Sequence, residues 1–180
     1  MFINVEDDEA LWRYLSPEKF EKLLNSKNIY CQKISKFEDP WEGHVSKFEN
    51  EREMRCLIAE ASSRGFLAGR SDTEINVAVD KLDKSDRSFD RSRYVSCWHR
   101  NQCESAAMWD LYCNRNSGVA IVTTGKALRE LAERNRAEHG AIFAAVEYLN
   151  YESDSVLSNK RDPAFCKRLN FMHEQEARLV

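Results

Sequence analysis

The stretch from Leu11 to Ile34, LWRYLSPEKFEKLLNSKNIYCQKI, constrains the fold more than any other part of the chain. Ser16 followed by Pro17 marks a helix start. A serine side chain accepts an otherwise orphaned N–H of the first turn, and proline at the first helical position gives up no hydrogen bond. Phe20, Leu23 and Leu24 then recur at helical spacing and predict a buried stripe. The polar run Asn25 to Asn28 ends the helix, after which Ile29 and Cys31 alternate with Tyr30 and Gln32 as in a half-buried strand. With LWRYL read as a strand, the opening is strand, capped helix, strand.

Further along, ISKFEDPWEGH reads as an ordered loop: Asp39 before Pro40 is kept out of the helical region, and Gly43 permits a positive φ. Helical residues dominate from Ser46 to about Ala68, where one or two helices are expected. GRSDTE and DKLDKSDRSFDRSR are polar and charged, which predicts a mobile insertion around residues 70–92. YVSCWH predicts a strand. ESAAMWDLYC predicts a helix with Met108, Leu111 and Tyr112 inward, and GVAIVTT a buried strand. Gly125 to Glu138 predicts a surface helix with Leu128 and Leu131 inward. AIFAAVEYLNY reads as one strand, and DPAFCKRLNFMHEQEARLV as a helix from Pro163 followed by a final strand around Glu174 to Val180. That strand is still running where the sequence stops, so a truncated C-terminus is expected.

Irregularly interleaved strands and helices, with no glycine-rich turn after any strand, favour an α+β fold over a doubly wound sheet. We expect one domain spanning 1–180, with a small mixed or antiparallel sheet and several flanking helices, since 180 residues fit a single core. Thirty acidic against 27 basic residues give a net charge of -3, so there is no strong nucleic-acid signature. The apolar runs are far shorter than the ~20 residues a bilayer span needs. The acidic start, MFINVEDDEALW, lacks the basic and then apolar pattern of a secretory signal, and six scattered cysteines suit reduced thiols; both point to the cytoplasm.

Four pieces, LWRYLS, FEDPWEG, MWDLYCNRNSGVAI and HEQEARLV, together resemble a bacterial family catalogued as a domain of unknown function. The layout is also distantly similar to ADP-ribosyltransferases, which carry an Arg or His on the first strand, a Ser-containing strand mid-chain and an E-x-E near the end. That resemblance implies NAD as substrate, an unidentified macromolecular acceptor, and a toxin or defence role. It makes Glu176 and Glu174 the candidate catalytic residues and Arg13, Tyr14, Ser96 and Trp109 the candidate cofactor-binding residues. Cleavage of nicotinamide builds positive charge on the ribose that Glu176 would stabilise, while Glu174 would orient or deprotonate the acceptor. A strand period of two puts both glutamates on one side. Arg13 would clamp the pyrophosphate, converging with Glu176 on a cleft between the opening and closing strands.

Each of these residues also has a plainer reading. Glu174, Glu176 and Arg178 fit cross-strand ion pairs, Arg13 fits a structural arginine stacked on aromatics, and Ser96 a small strand residue. Trp109 and Tyr112 could flank a pocket and stack on nicotinamide or adenine, and they also fit core packing. Glu38, Asp39 and Glu42 cluster on the FEDPWEG turn, where they could bind a hard cation or position a substrate hydroxyl, and where the plainer reading is turn chemistry with Asp39 bonding its own backbone. Cys97, His99, Cys103 and Cys113 lack zinc-type spacing, so no metal is expected. The alternative function is a catalytically inert interaction module that recognises a protein or nucleic-acid partner.

Overall fold

The computed structural model describes residues 3–44, 55–56, 58–65, 68–71, 73–75, 77, 90–113, 117–154 and 161–180. Eight strands and three named helices form its frame. Strand β1 (Ala10–Leu15) leads through Ser16 into helix α1 (Pro17–Ser26), and Ser16 accepts from the Lys19 N–H as the sequence predicts. The helix ends at Lys27, which adopts the left-handed conformation. Its expected stripe is only half-buried: Phe20 and Leu23 are partly covered and Leu24 is exposed. Strand β2 is reduced to Gln32–Lys33.

Strand β3 (Tyr94–Arg100) is the centre of the sheet. On one edge it pairs with β1 through His99 and Arg100 and with β2 through Tyr94 and Val95. On the other it pairs with β8 (Glu176–Leu179). Strand β4 (Val119–Thr124) flanks β1 and β5 (Phe143–Ala145) flanks β8, which completes a six-strand antiparallel sheet. Expected to be buried, β4 is instead an edge strand with none of its residues fully buried, because only β1 covers it in the sheet. The fold is therefore α+β, as the irregular alternation of elements predicts.

Helix α2 (Ala106–Tyr112) is capped by Ser105 and α3 (Gly125–His139) by Thr124. Gly125 is required there: a Cβ would lie 2.0 Å from the Glu6 carbonyl oxygen. Leu128 is buried and Leu131 packs on the same core cluster, as expected. Helix α2 differs from its reading, because Met108 is buried while Leu111 and Tyr112 are 58% and 50% exposed. The helix rests on β1 and β4 along a single edge, which leaves its last turn facing outward.

Two further differences lie near the C-terminus. AIFAAVEYLNY breaks at Val146 into β5 and β6 (Glu147–Leu149). In place of a helix after Pro163 there is a 3-10 turn (Pro163–Phe165) and then strand β7 (Cys166–Arg168), which pairs in parallel with β6. A second 3-10 segment, Leu169–Glu174, leads into β8. The described parts of 55–77 are helical at 55–56, 58–63, 73–75 and 77; the insertion expected around 70–92 falls largely outside the described residues.

Candidate functional site

Paired residues in an antiparallel sheet share a face, so the register assigns every side chain to one side. Trp12, His99 and Glu176 lie in one row across β1, β3 and β8. Arg13 follows Trp12 and therefore points to the opposite face, where its guanidinium stacks 5.6 Å from the Trp98 ring and donates to the Tyr30 carbonyl at 2.6 Å. Strand β3 stands between β1 and β8. The expected convergence of Arg13 and Glu176 on a shared groove is thus corrected: the two project from opposite faces of the sheet.

The face bearing Glu176 holds a buried ionic cluster. Arg178, fully buried, donates from Nε to Glu176 Oε2 at 2.7 Å, from Nη2 to Glu42 at 3.0 Å and from Nη1 to the Ala164 carbonyl at 2.8 Å. Lys167 on β7 reaches Glu174 and Glu176 at 2.9 Å each and Glu42 at 3.2 Å. Phe171 covers the ammonium, 4.7 Å from its ring centre. Burying five ionisable groups is tolerable only because nearly every donor meets an acceptor.

Glu42 arrives from the FEDPWEG loop, whose turn reading is sound as far as it goes. Asp39 accepts from the Trp41 N–H and Gly43 takes φ 73°. The loop's carboxylates are nevertheless spent on cations of the C-terminal segment, since Asp39 pairs with Arg168 at 2.9 Å and Glu42 with Arg178 and Lys167. Among the described residues there is no group of His, Cys, Asp and Glu arranged to hold a metal ion.

Glu174 and Glu176 are brought together, but by a different route from the one the alternation implies. Glu174 closes the 3-10 segment, and Gln175 turns the chain with φ 40° before β8 begins at Glu176. Both carboxyls reach Lys167, and Glu174 Oε2 also accepts from the Tyr112 hydroxyl at 3.0 Å.

Their protonation differs sharply. Burial, and then the hydrogen bond and charge of Glu176, push the Glu174 carboxyl up to about 7, with Lys167 offsetting only part of the rise. Burial also acts to raise Glu176, but Arg178 and Lys167 outweigh it and hold that carboxyl below the usual carboxylate range. Burial and the charges of Glu174 and Glu176 push the Tyr112 phenol upward, which keeps it a donor. Two adjacent carboxyls, one ionised and one close to half-protonated at neutrality, form an acid–base pair.

The other sequence-derived candidates are placed as follows. Tyr14 lies on the Glu176 face; its hydroxyl accepts from the Ser105 N–H at 2.7 Å and its ring meets Trp109 edge-on at 5.0 Å. Trp109 is half-buried and donates to Glu104 at 2.8 Å. Ser96 is completely buried on the Arg13 face, where it accepts from Trp98 Nε1. His99, 7% exposed, stands beside Tyr14 with ring centres 6.5 Å apart. The cavity lined by Ile3, Ala145, Glu147, Arg161, Asp162, Phe165 and Cys166 holds about 10 Å³, enough for a water molecule.

Sequence reasoning passed over Lys167, weighed His99 only as a zinc ligand, and gave Glu42 either a turn role or a part in holding a cation or a substrate hydroxyl, not a place in a buried ionic cluster. One signal was present: Ala177 and Leu179 alternate with the charged Glu176 and Arg178, which suits a strand covered on both sides, where the charges must be paired internally.

The fold and the cluster define an α+β domain in which a buried ionic network ties a loop near the N-terminal third to the last strand. Residues 108–179 match the model of a family described as Protein of unknown function (DUF2971). The matched part runs from α2 to the end of β8, so it contains the MWDLY and E-x-E-x-R pieces, whereas RYLS and FEDPWEG lie outside it. No curated protein and no solved structure matches the chain. No helix among the described residues is long and apolar enough to cross a membrane.

Proposed function

We propose that the domain is an acid–base catalyst of ADP-ribosyl transfer from NAD, with Glu174 as the proton acceptor. NAD and the transfer class rest on the similarity to ADP-ribosyltransferases. The observation that carries the residue assignment is the Glu174 carboxyl, raised to about 7 while bonded to Tyr112 and Lys167 beside an ionised Glu176. A general base works best when its pKa lies near the operating pH. In the proposed step the Glu174 carboxylate takes the proton of an acceptor hydroxyl, whose oxygen bonds to the ribose carbon. The carbon–nitrogen bond breaks, and its electron pair leaves with neutral nicotinamide.

Glu176 has a different role here from the one its motif implies. Both of its oxygens are engaged, by Lys167 and Arg178, and it is 4% exposed. It acts as a positioning residue whose fixed negative charge keeps the Glu174 carboxyl basic. Arg13 has no part in binding the pyrophosphate in this reading, because it belongs to the other face.

The test is nicotinamide release from NAD by the purified protein. Wild type should release it, Glu174→Gln should lower the rate at least about 100-fold, and Arg13→Ala should leave it within about twofold of wild type. The second reading, an inert interaction module, is favoured by the separation of Arg13 from Glu176 and by the saturation of the ionic cluster. Absence of nicotinamide release from wild-type protein would reject the transferase and leave the module.

A further inference from the structure

One buried polar atom beside Glu174 is left unused by that mechanism. His99 Nδ1 lies 2.7 Å from the carbonyl oxygen of Glu174. A carbonyl only accepts, so Nδ1 carries the proton, and in the neutral ring the Nε2 lone pair is bare. Nε2 is buried and has no hydrogen-bond partner among the described residues. Because His99 is bonded to the backbone of the residue whose carboxyl takes the proton, the position of its ring is registered to the reacting group.

We infer that His99 Nε2 accepts a hydrogen bond from an uncharged hydroxyl of the molecule bound at the Glu174 site, which makes His99 a specificity-determining residue. The inference rests on the proposed catalytic role of Glu174 and names the ligand chemistry that site selects. A bare lone pair repels an anion that has only acceptors. A cation is disfavoured by the Lys167 ammonium, which is already paired with Glu174 itself. What remains is a neutral donor. The adjoining wall is aromatic, with Tyr14 tilted at 54° to the histidine and Trp109 packed on Tyr14, and such rings suit the carbon face of a sugar or polyol.

The experiment uses wild-type protein with 15N-labelled histidine and three probes: erythritol, an uncharged polyol; agmatine, a cationic N–H donor; and sulfate, an anion without a donor. The His99 Nε2 resonance should fall in the unprotonated range in the free protein. It should move saturably toward the hydrogen-bonded range with erythritol and stay still with the other two. A protonated Nε2 in the free protein, no saturable shift with erythritol, or an equal shift with agmatine would each overturn the inference. Where NAD is turned over, His99→Phe should raise KM about tenfold and leave kcat within about twofold, the loss of one hydrogen bond to bound substrate; an unchanged KM overturns it. The nicotinamide assay separates the two ideas. A polyol shift without NAD cleavage removes the transferase and keeps the His99 site, whereas cleavage without the shift does the reverse.

Discussion

Both faces of the sheet bury apolar side chains, but among the described residues one of them also holds a buried ionic cluster. On one, Leu11, Trp98, Ala145 and Ala177 pack against Val5 and against Leu128 of α3, and the contact is almost wholly apolar. On the other, Glu176 and Arg178 leave the same strand to meet Glu42, Lys167 and Glu174. Apolar burial is non-directional and scales with area, so that face tolerates small errors of shape. A buried ionic cluster depends on every partner being present, because an abandoned charge cannot reach water. The ionic cluster therefore sets which loop closes on which strand, while apolar residues on its own face, Val95 and Ala144 with Phe165 and Tyr14 with Met108, add non-directional burial around it.

The largest break in this comparison should come from Arg178→Ala, which leaves the buried Glu42 and Glu176 with Lys167 as their one remaining shared cation. A loss of about 4 kcal/mol is expected in urea unfolding. A smaller loss than that of Leu128→Ala would show the ionic face to be the weaker one.

A pH series sharpens the contrast, since Glu174 and Glu176, whose carboxyls are shifted in opposite directions, both belong to the ionic cluster. The folded Glu174 carboxyl is raised from its ordinary value to about 7. The native state thus binds that proton more tightly than the unfolded chain does. Its contribution to stability is complete below about pH 4.5 and is lost as pH rises through about 7, by an amount on the order of 3 kcal/mol. Glu176, held below its ordinary range, has the opposite sign: its contribution is present above the ordinary carboxylate pKa and is lost as pH falls. Unfolding of Glu174→Gln followed across this range should lack the decline between pH 4.5 and 7. An identical slope in wild type and variant would contradict the assignment.

On the apolar face, Leu128→Ala should cost about 2.5 kcal/mol, with no dependence on pH over the same window. The smallest effect belongs to Arg13→Ala. Losing its stacking on Trp98 and one bond to the Tyr30 carbonyl should lower stability by about 1 kcal/mol. Its thermal response to NAD should equal that of wild type, and loss of that response would return Arg13 to the binding site.

Legibility followed the range of the forces involved. The Ser16 cap, the α1 boundaries, the α3 face and the β1, β3 and β4 strands could be read because their signals lie within a few residues of one another. The segment from Pro163 to Arg168 could not. Its proline reads as a helix start, yet β7 exists because Cys166, Lys167 and Arg168 pair with β6. Tyr112 has helical spacing with Met108 but ends exposed, since α2 meets the sheet along one edge and its hydroxyl finds Glu174, 62 residues away in sequence.

By itself the sequence determined the α+β class, the capped first helix and the presence of paired acidic residues before the last arginine. Those follow from local hydrogen bonding and from the periodicity of apolar side chains. Only the tertiary structure decided which face each charge occupies, that Arg13 and Glu176 part company, and that Glu42 and Lys167 join the cluster. Sheet register and long-range ion pairing depend on which strands become neighbours, and that choice leaves no mark within any short stretch of chain.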